Sequence, residues 1–230
     1  MIALFDIGST LIDGPPYGPA RRLAEMLGLG KAAVLLLEHL LFRTPSEGPE
    51  DLARCVADKL GVDPTLAYEA CATLWNAQLS EAYVLPGAAE TIAKLAKAGV
   101  SRAYLSNIWP PFYEHFRRSF EKESANPQFL SFQMGLMKPD PQFFREALRR
   151  LAVPPGEVVM IGDTYKNDIR PAIELGMKTV WVLHRPDKER ASLVDVVNGI
   201  APRPDVTIGA IGELRLEHLY YEDREVRITA

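Results

Sequence analysis

The feature that most restricts the fold of this chain is a change in its hydrophobic pattern near residue 85. From about residue 19 to residue 83, helical patterns follow one another with no strand pattern between them. After residue 85, short apolar runs alternate with amphipathic helical stretches, and one further apolar run precedes the helical region at residues 1–7. Alternating strands and helices imply a parallel sheet that is covered on both faces. The order predicts an α/β fold, a Rossmann-like parallel sheet core interrupted after its first strand by an all-helical insert.

Turn and cap residues set the limits of these elements. In the insert we predict helices over residues 20–27, 32–42, 50–60 and 64–82. In the core we predict helices over 88–98, 141–151 and 168–175, and strands over 1–7, 102–105, 158–161, 179–183 and 205–208. Breakers at residues 14–16 and 85–87 flank the insert. They divide the chain into a core of residues 1–14 and 85–230 and an insert of residues 15–84.

Composition and charge argue against several classes of protein. The hydrophobic fraction of 47% and the charged fraction of 24% are ordinary for a globular protein. A formal charge of -4 argues against a nucleic-acid partner. We expect no membrane association and no signal peptide, because no apolar run reaches about 20 residues and no basic leader precedes the first one. Cys55 and Cys71 lack metal-binding spacing, so we predict buried thiols in a reducing cytoplasm.

Polar residues follow three of the predicted strands. Asp6 ends the first, Ser106 and Asn107 follow the second, and Asp163 follows a third. Each has an ordinary interpretation as a turn or helix cap. In parallel sheets, however, the carboxyl ends of the strands share the edge where ligands bind, so we expect these residues to converge. Two carboxylates there repel each other unless a cation lies between them, and hard oxygen ligands suit Mg²⁺.

Two more residues extend this set. Lys138 lies in the loop segment MKPDP at 137–141, and Asp168 follows Asp163 by five residues. Taken alone, Lys138 could be an exposed loop lysine and Asp168 the N-cap of the next helix. Taken with the strand-end residues, a lysine, a hydroxyl and backbone N–H groups suit phosphate oxygens. A carboxylate such as Asp6 can attack phosphorus to form an aspartyl-phosphate.

Four segments resemble the ordered motifs of the haloacid dehalogenase-like hydrolase superfamily. They are FDIGSTL at 5–11, LSN at 105–107, KP at 138–139 and GDTYKND at 162–168. Their order, spacing and strand context agree over roughly the whole chain. The insert resembles the helical cap of that superfamily's first subclass. The resemblance implies a cytoplasmic, Mg²⁺-dependent phosphohydrolase, a phosphatase or phosphotransferase, that acts on a small phosphorylated substrate.

The resemblance also assigns roles by position. Asp6 corresponds to the nucleophile. Lys138 corresponds to the lysine that neutralises both the nucleophile and the phosphate. Ser106, helped by the Asn107 backbone, corresponds to the phosphate-binding group.

The implied magnesium ligands come from two of the motifs. They are the carboxylates of Asp6 and Asp163 and the backbone carbonyl of Gly8, while Asp168 binds through water or orients the lysine. The departure is at Gly8, where phosphatases of this superfamily have an Asp that protonates the leaving group and later activates water. Because Gly8 keeps the carbonyl, we expect metal binding to survive without acid–base help.

The missing acid changes the expected activity. General acid–base catalysis contributes about 10²–10⁴-fold, or roughly 3–5 kcal/mol of barrier. We therefore expect aryl or acyl phosphates to react far better than alkyl phosphates, and the covalent intermediate to persist. Restoring the acid by Gly8→Asp should raise alkyl-phosphate turnover, unless Gly8 has a positive φ that strains Asp.

Several alternatives stay open at this level. Gly8 also fits a phosphate-ligand binding or regulatory protein that has lost turnover. Phosphonatases carry Ala and dehalogenases carry Tyr at this position, and a phosphonatase would need a cap lysine, for which only Lys31 and Lys59 are available. The DIGST segment at 6–10 is also similar to the phosphate loop of actin-like sugar kinases, although that fold would leave Lys138 unexplained. His39 and His115 are candidate replacement acids.

Overall fold

A computed structural model of the chain describes residues 1–220. Its strands, in chain order, are β1 (Ile2–Phe5), β2 (Ile12–Asp13), β3 (Tyr83–Val84), β4 (Ser101–Ser106), β5 (Gln128–Leu130), β6 (Val158–Gly162), β7 (Lys178–Val182) and β8 (Val206–Ile208). Six of them form one sheet in the order β5-β4-β1-β6-β7-β8, and all neighbouring pairs are parallel. The predicted parallel α/β core is confirmed.

The helices fall into two groups. The first lies between β2 and β3 and contains α1 (Pro19–Met26), α2 (Lys31–Arg43), α3 (Pro49–Leu60) and α4 (Pro64–Glu81). The second contains α5 (Ala88–Lys97), α6 (Pro110–Ser119), α7 (Ser131–Met134), α8 (Pro141–Leu151), α9 (Arg170–Glu174) and α10 (Arg190–Val197). Within the described residues, no helix is both long and apolar enough to cross a membrane.

The central strand β1 shows how the sheet is covered on both faces. Successive side chains of a strand point to opposite faces. Ala3 and Phe5 belong to a core cluster that includes residues of α5 and α6, whereas Leu4 belongs to a second cluster with Phe143 and Phe144 of α8. The apolar residues of β1 are therefore buried on both sides, as a continuous apolar run predicts.

The helical insert has its own apolar core. Leu23, Leu37, Val56 and Leu74 contribute one buried residue each from α1 to α4. Trp109, just before α6 of the core, is buried in the same cluster, and its indole N–H donates to Gln78 of α4 at 3.1 Å. The insert and the sheet domain are thus joined by packing as well as by the chain.

The boundary of the insert differs in detail from the sequence prediction. The helical pattern predicted up to residue 83 ends at Glu81, and Tyr83 and Val84 form β3, which pairs antiparallel with β2. The predicted division at residue 84 therefore falls at the end of β3. The pairing of β2 with β3 holds together the two chain segments that enter and leave the insert. A two-residue strand shows no periodicity, so the pattern of apolar residues could not reveal it.

The segment after β6 also differs from the prediction. A helix was expected from residue 168, but Tyr165–Ile169 forms a π-helical turn and α9 begins only at Arg170. Asp168 therefore lies inside the turn rather than at a helix N-cap. The strand β5 and the helices α6 and α10 were not predicted.

Candidate active site

The three strands that end in polar residues are neighbours in the sheet. β1 lies between β4 and β6, so Asp6, Ser106 and Asp163 meet at one edge. Lys138 joins them from a loop, and Asp168 from the π-helical turn after β6. All five residues are buried, with exposed fractions of 5% or less. The convergence expected from the strand ends is therefore what the structure shows.

The Asp6 carboxylate accepts hydrogen bonds from three side chains of this site. Its Oδ1 accepts hydrogen bonds from the Ser106 hydroxyl at 2.9 Å and from the Lys138 ammonium at 2.6 Å. Its Oδ2 accepts from the Thr10 hydroxyl at 3.0 Å. Thr10 was quoted in the first motif but given no role from sequence. Three donors from three different segments fix the orientation of this carboxylate.

Lys138 connects Asp6 to Asp168. Its Nζ lies 2.6 Å from Asp168 Oδ1 and 3.0 Å from the carbonyl of Leu105. Burial lowers the pKa of Lys138, but the carboxylates of Asp168 and Asp6 outweigh burial and hold its pKa above the usual value. Lys138 is therefore charged at neutral pH.

Asn107 positions Lys138 through the backbone. The Asn107 amide donates to the Lys138 carbonyl at 2.8 Å, and the Lys138 N–H donates to the Asn107 side-chain oxygen at 2.7 Å. This reciprocal pair fixes the lysine's main chain. The family resemblance had assigned a role only to the Asn107 backbone. The structure adds a positioning role for the Asn107 side chain.

Three carboxylates form a candidate cation site. Asp6, Asp163 and Asp168 each offer an oxygen within 4.8 Å of the others. Burial, with the charges of Asp168 and Asp6, raises the pKa of Asp163 well above the ordinary value, although Arg185 opposes the shift. Burial, partly offset by Lys138, raises the pKa of Asp168 to about 6. Crowded buried oxygens of this kind suit Mg²⁺. Ligation by the Gly8 carbonyl stays a prediction.

Arg185 was missed by the sequence prediction. Its guanidinium forms an ion pair with the Asp163 carboxylate, and the Trp181 indole N–H donates to the Asp163 carbonyl at 2.9 Å. Arg185 lies three residues after the end of β7, at the same edge of the sheet as the other site residues. The rule that found Asp6 and Asp163 would therefore have indicated Arg185 as well.

The Gly162-Asp163 pair has a steric explanation. A Cβ placed on Gly162 would lie 2.5 Å from the Cβ and Cγ of Asp168. No side chain fits at residue 162 while Asp168 keeps its position, in which it accepts from the Thr164 N–H at 2.9 Å and from Lys138. The glycine therefore makes room for the partner carboxylate.

Gly8 has neither of the obstacles expected for a side chain. It is absent from the described residues with positive φ, whereas its neighbour Ser9 has φ 60°. A Cβ on Gly8 would meet only the Phe112 ring, at 3.7 Å, which is an ordinary contact. Neither backbone strain nor lack of space at Cβ therefore accounts for the missing carboxylate.

Other candidate residues take different places. Lys31 and Lys59 are exposed, and neither lines the cavities beside the Asp6 cluster. His39 of α2 lines a cleft that also contains Lys138. His115 is half-buried on α6, where burial, with the charge of Arg118, lowers its pKa. Trp109 both packs against the insert and lines a cavity.

Family comparison agrees with this geometry. The model for haloacid dehalogenase-like hydrolases matches residues 1–176 of the 230. A glyceraldehyde 3-phosphate phosphatase from Methanopyrus kandleri is 30% identical over 225 residues, which cover 92% of this chain and 97% of that protein.

Two further relatives match over shorter regions. A glyceraldehyde 3-phosphate phosphatase from Pyrococcus furiosus is 34% identical over 42% of this chain and 41% of its own length. A phosphoserine phosphatase from Thermus thermophilus is 31% identical over 57% of this chain and 49% of its own length. The chain thus spans about half the length of these two relatives or less.

Solved structures share the fold. A HAD phosphatase from Thermococcus onnurineus superposes with a TM-score of 0.59 at 24% identity, covering 93% of this chain and 95% of that one. A 2-haloacid dehalogenase from Pseudomonas syringae pv. tomato also gives 0.59 at 24% identity, covering 92% and 94%. Both a phosphatase and a dehalogenase therefore share this architecture, which by itself does not select the reaction. On the family match and the full-length relative, the chain belongs to the haloacid dehalogenase-like hydrolases.

Proposed function

We propose that this protein is a Mg²⁺-dependent phosphatase that removes the phosphoryl group from a small phosphorylated metabolite through Asp6. The observation that supports this function is the Asp6 carboxylate itself. It is buried, it is oriented by Thr10, Ser106 and Lys138, and it lies beside two further carboxylates. A carboxylate that was only structural would not require so many converging groups.

The first step makes a covalent intermediate. An Asp6 oxygen attacks phosphorus, and the bond from phosphorus to the leaving-group oxygen breaks with its electron pair on that oxygen. Lys138 stays charged and offsets the negative charge that gathers between Asp6 and the phosphoryl oxygens. Ser106 exchanges its hydrogen bond to Asp6 for one to a phosphoryl oxygen.

The second step is hydrolysis. Water attacks the phosphorus of the aspartyl-phosphate, the bond between phosphorus and the Asp6 oxygen breaks, and inorganic phosphate leaves with the carboxylate regenerated. Position 8 supplies neither the proton for the first step nor the base for the second. We propose that this step is slow, so that acceptors other than water compete for the phosphoryl group.

The carboxylates of Asp6 and Asp163 and the Gly8 carbonyl are proposed to hold the metal, with Asp168 behind them. When bound, Mg²⁺ offsets negative charge on the phosphoryl oxygens and on Asp6. Asp168 orients Lys138 through the 2.6 Å contact between them. Arg185 forms an ion pair with the Asp163 carboxylate.

The insert is proposed to act as the cap over this site, with hinges near β2 and β3. Arg43 of α2 donates to the Gly135 carbonyl at 2.8 Å, so the insert contacts the core next to the Lys138 loop. A cap in this position excludes water from the reaction. The phosphatase names of the relatives support a small phosphorylated substrate.

A second candidate is a phosphate-binding or regulatory protein without turnover. The observation that favours it is Gly8, since the acid and base of the family's phosphatases are absent. The exposed positions of Lys31 and Lys59 argue against a phosphonatase, which needs a lysine in the site.

One experiment separates these functions. Phosphate release from phenyl phosphate and from a panel of small phosphate esters is measured with Mg²⁺, with EDTA and with the Asp6→Asn variant. The phosphatase predicts release that needs both Mg²⁺ and Asp6. Binding of inorganic phosphate with no release from any ester would support the binding protein instead.

A further inference from the structure

A cavity lies beside the position where the missing acid would stand. It has a volume of about 200 Å³, and its apolar walls come from Tyr17, Phe42, Trp109 and Phe112, with prolines between β2 and α1. Ser9 and Asn107, which neighbour Gly8 and Ser106, line the same cavity. The cavity therefore lies next to two residues that adjoin the reacting centre in the chain.

Phe112 marks the leaving-group side of the site. Its Cε1 lies 3.7 Å from the Cβ position of Gly8, and its Cε2 lies 3.1 Å from that of Gly14. Gly8, where the family's phosphatases carry a carboxylate, therefore faces an aromatic ring. The departing oxygen meets an apolar wall at this point.

Three polar side chains around the cavity are already bonded within the protein, whereas Lys188 also lines it. Asn107 is paired with the Lys138 backbone, Gln78 accepts from Trp109, and Arg185 is paired with Asp163. The four aromatic rings and Lys188 therefore remain as lining groups that can contact a ligand.

Asp13 lines the cavity too, but it does not replace the acid. Its Oδ1 accepts from the Ser9 hydroxyl at 3.1 Å and from the Gly14 N–H at 2.9 Å. Burial raises the pKa of Asp13, but the neighbouring His184, with the hydrogen bonds from Gly14 and Ser9 and the charge of Arg185, holds it below the ordinary value. The carboxyl is therefore ionised at neutral pH and has no proton to give.

We propose that the substrate's leaving group is an aromatic alcohol whose ring occupies this cavity. The inference rests on the proposed phosphatase function and names its substrate class. A phenolate leaves with its own electron pair and takes its proton from water afterwards, so it needs no acid at residue 8. An apolar cavity of about 150 Å³ is large enough to bind benzene in an engineered protein, so one ring fits the volume found here.

Tyr17 is the residue that tests this proposal. Its ring is 52% exposed in the loop before α1, lines the cavity, and lies 4.2 Å from the Arg21 guanidinium. An exposed ring can be removed without opening a hole in the core. Tyr68, 44% exposed on α4 and outside the cavity, provides a matched control.

The experiment measures binding separately from turnover. Dissociation constants of phenylphosphonate and methylphosphonate, neither of which has an ester bond to cleave, are measured with Mg²⁺ for wild type, Tyr17→Ala and Tyr68→Ala. We expect phenylphosphonate to bind wild type about tenfold more tightly, and Tyr17→Ala to lose about fivefold for phenylphosphonate alone. Tyr68→Ala should match wild type.

Equal affinities for the two phosphonates, or a Tyr17→Ala variant that binds both like wild type, would overturn the inference. Phosphate release from phenyl phosphate and glycerol phosphate is measured in parallel. If wild type releases phosphate from neither ester but still prefers phenylphosphonate, the proposed function fails and the aromatic site stands. If it hydrolyses both equally well and has no preference between the phosphonates, the function stands and the aromatic site fails.

Discussion

Strand β4 carries two buried charged clusters of different composition. Near its start, Arg102 and Tyr104 both bond to the carboxylate of Glu123, at 2.7–3.1 Å, and Asn126 donates to the same carboxylate at 2.7 Å. One acid faces one guanidinium there, and the other partners are neutral.

At the other end of β4, Ser106 belongs to a cluster with an excess of acid. Among residues 1–220, Asp6, Asp163 and Asp168 form ion pairs with two cations, Lys138 and Arg185. Burying uncompensated charge is costly, so a cluster kept in this state is explained by a further cation. The Glu123 cluster is balanced in charge and the Asp6 cluster is not. Charge balance, rather than burial, therefore distinguishes the structural cluster from the functional one.

The largest expected effect is on the acid-rich cluster. Asp6→Asn should lower phosphate release by about 10⁴-fold or more, because it removes the nucleophile and keeps the shape of the side chain. Initial rates with phenyl phosphate measure the loss, and circular dichroism verifies the fold. A variant that retains a tenth of wild-type activity would show that Asp6 is not the nucleophile.

The balanced cluster should respond in the opposite way. Glu123→Gln leaves the half-buried Arg102 without its counter-charge and should lower the free energy of unfolding by about 2 kcal/mol, while kcat at a temperature where the variant is folded changes less than twofold. Urea denaturation and initial rates measure the two quantities. Glu146→Gln, which breaks an exposed pair with Arg149 and Arg150, serves as the control and should leave stability unchanged. A tenfold loss of kcat in Glu123→Gln would remove the distinction between the clusters.

Gly8→Asp sharpens the comparison by adding the family's acid to the cluster. We expect turnover of alkyl phosphates to rise by roughly 10²-fold, with little gain for aryl phosphates, whose leaving groups need no proton. Gly8→Ala fills the same space without an acid and should behave like wild type. If Gly8→Asp folds but shows no gain, another group already supplies the proton.

The sequence was sufficient for the main fold and for most of the candidate site. Asp6, Ser106 and Asp163 could be predicted because residues that end parallel strands share one edge of the sheet. Arg185 obeys the same rule, but it follows β7 by three residues and carries no family motif, so it was overlooked.

Other features depend on packing that no local pattern encodes. Phe112 reaches Gly8 because α6 lies against β3 and against α4 of the insert. The pairing of β2 with β3 joins segments about 70 residues apart through two-residue strands. The steric dependence of Asp168 on Gly162 likewise required coordinates.

The most direct test of the charge-balance account is thermal unfolding with and without Mg²⁺. At about ten times its dissociation constant, Mg²⁺ should stabilise wild type by on the order of 1–2 kcal/mol and raise its Tm. The same increase is expected for Glu123→Gln, whose cluster holds no metal, and it should disappear in Asp163→Asn. An unchanged Tm in wild type, or an equal increase in Asp163→Asn, would contradict the claim that the acid excess at the end of β4 exists to bind a divalent cation.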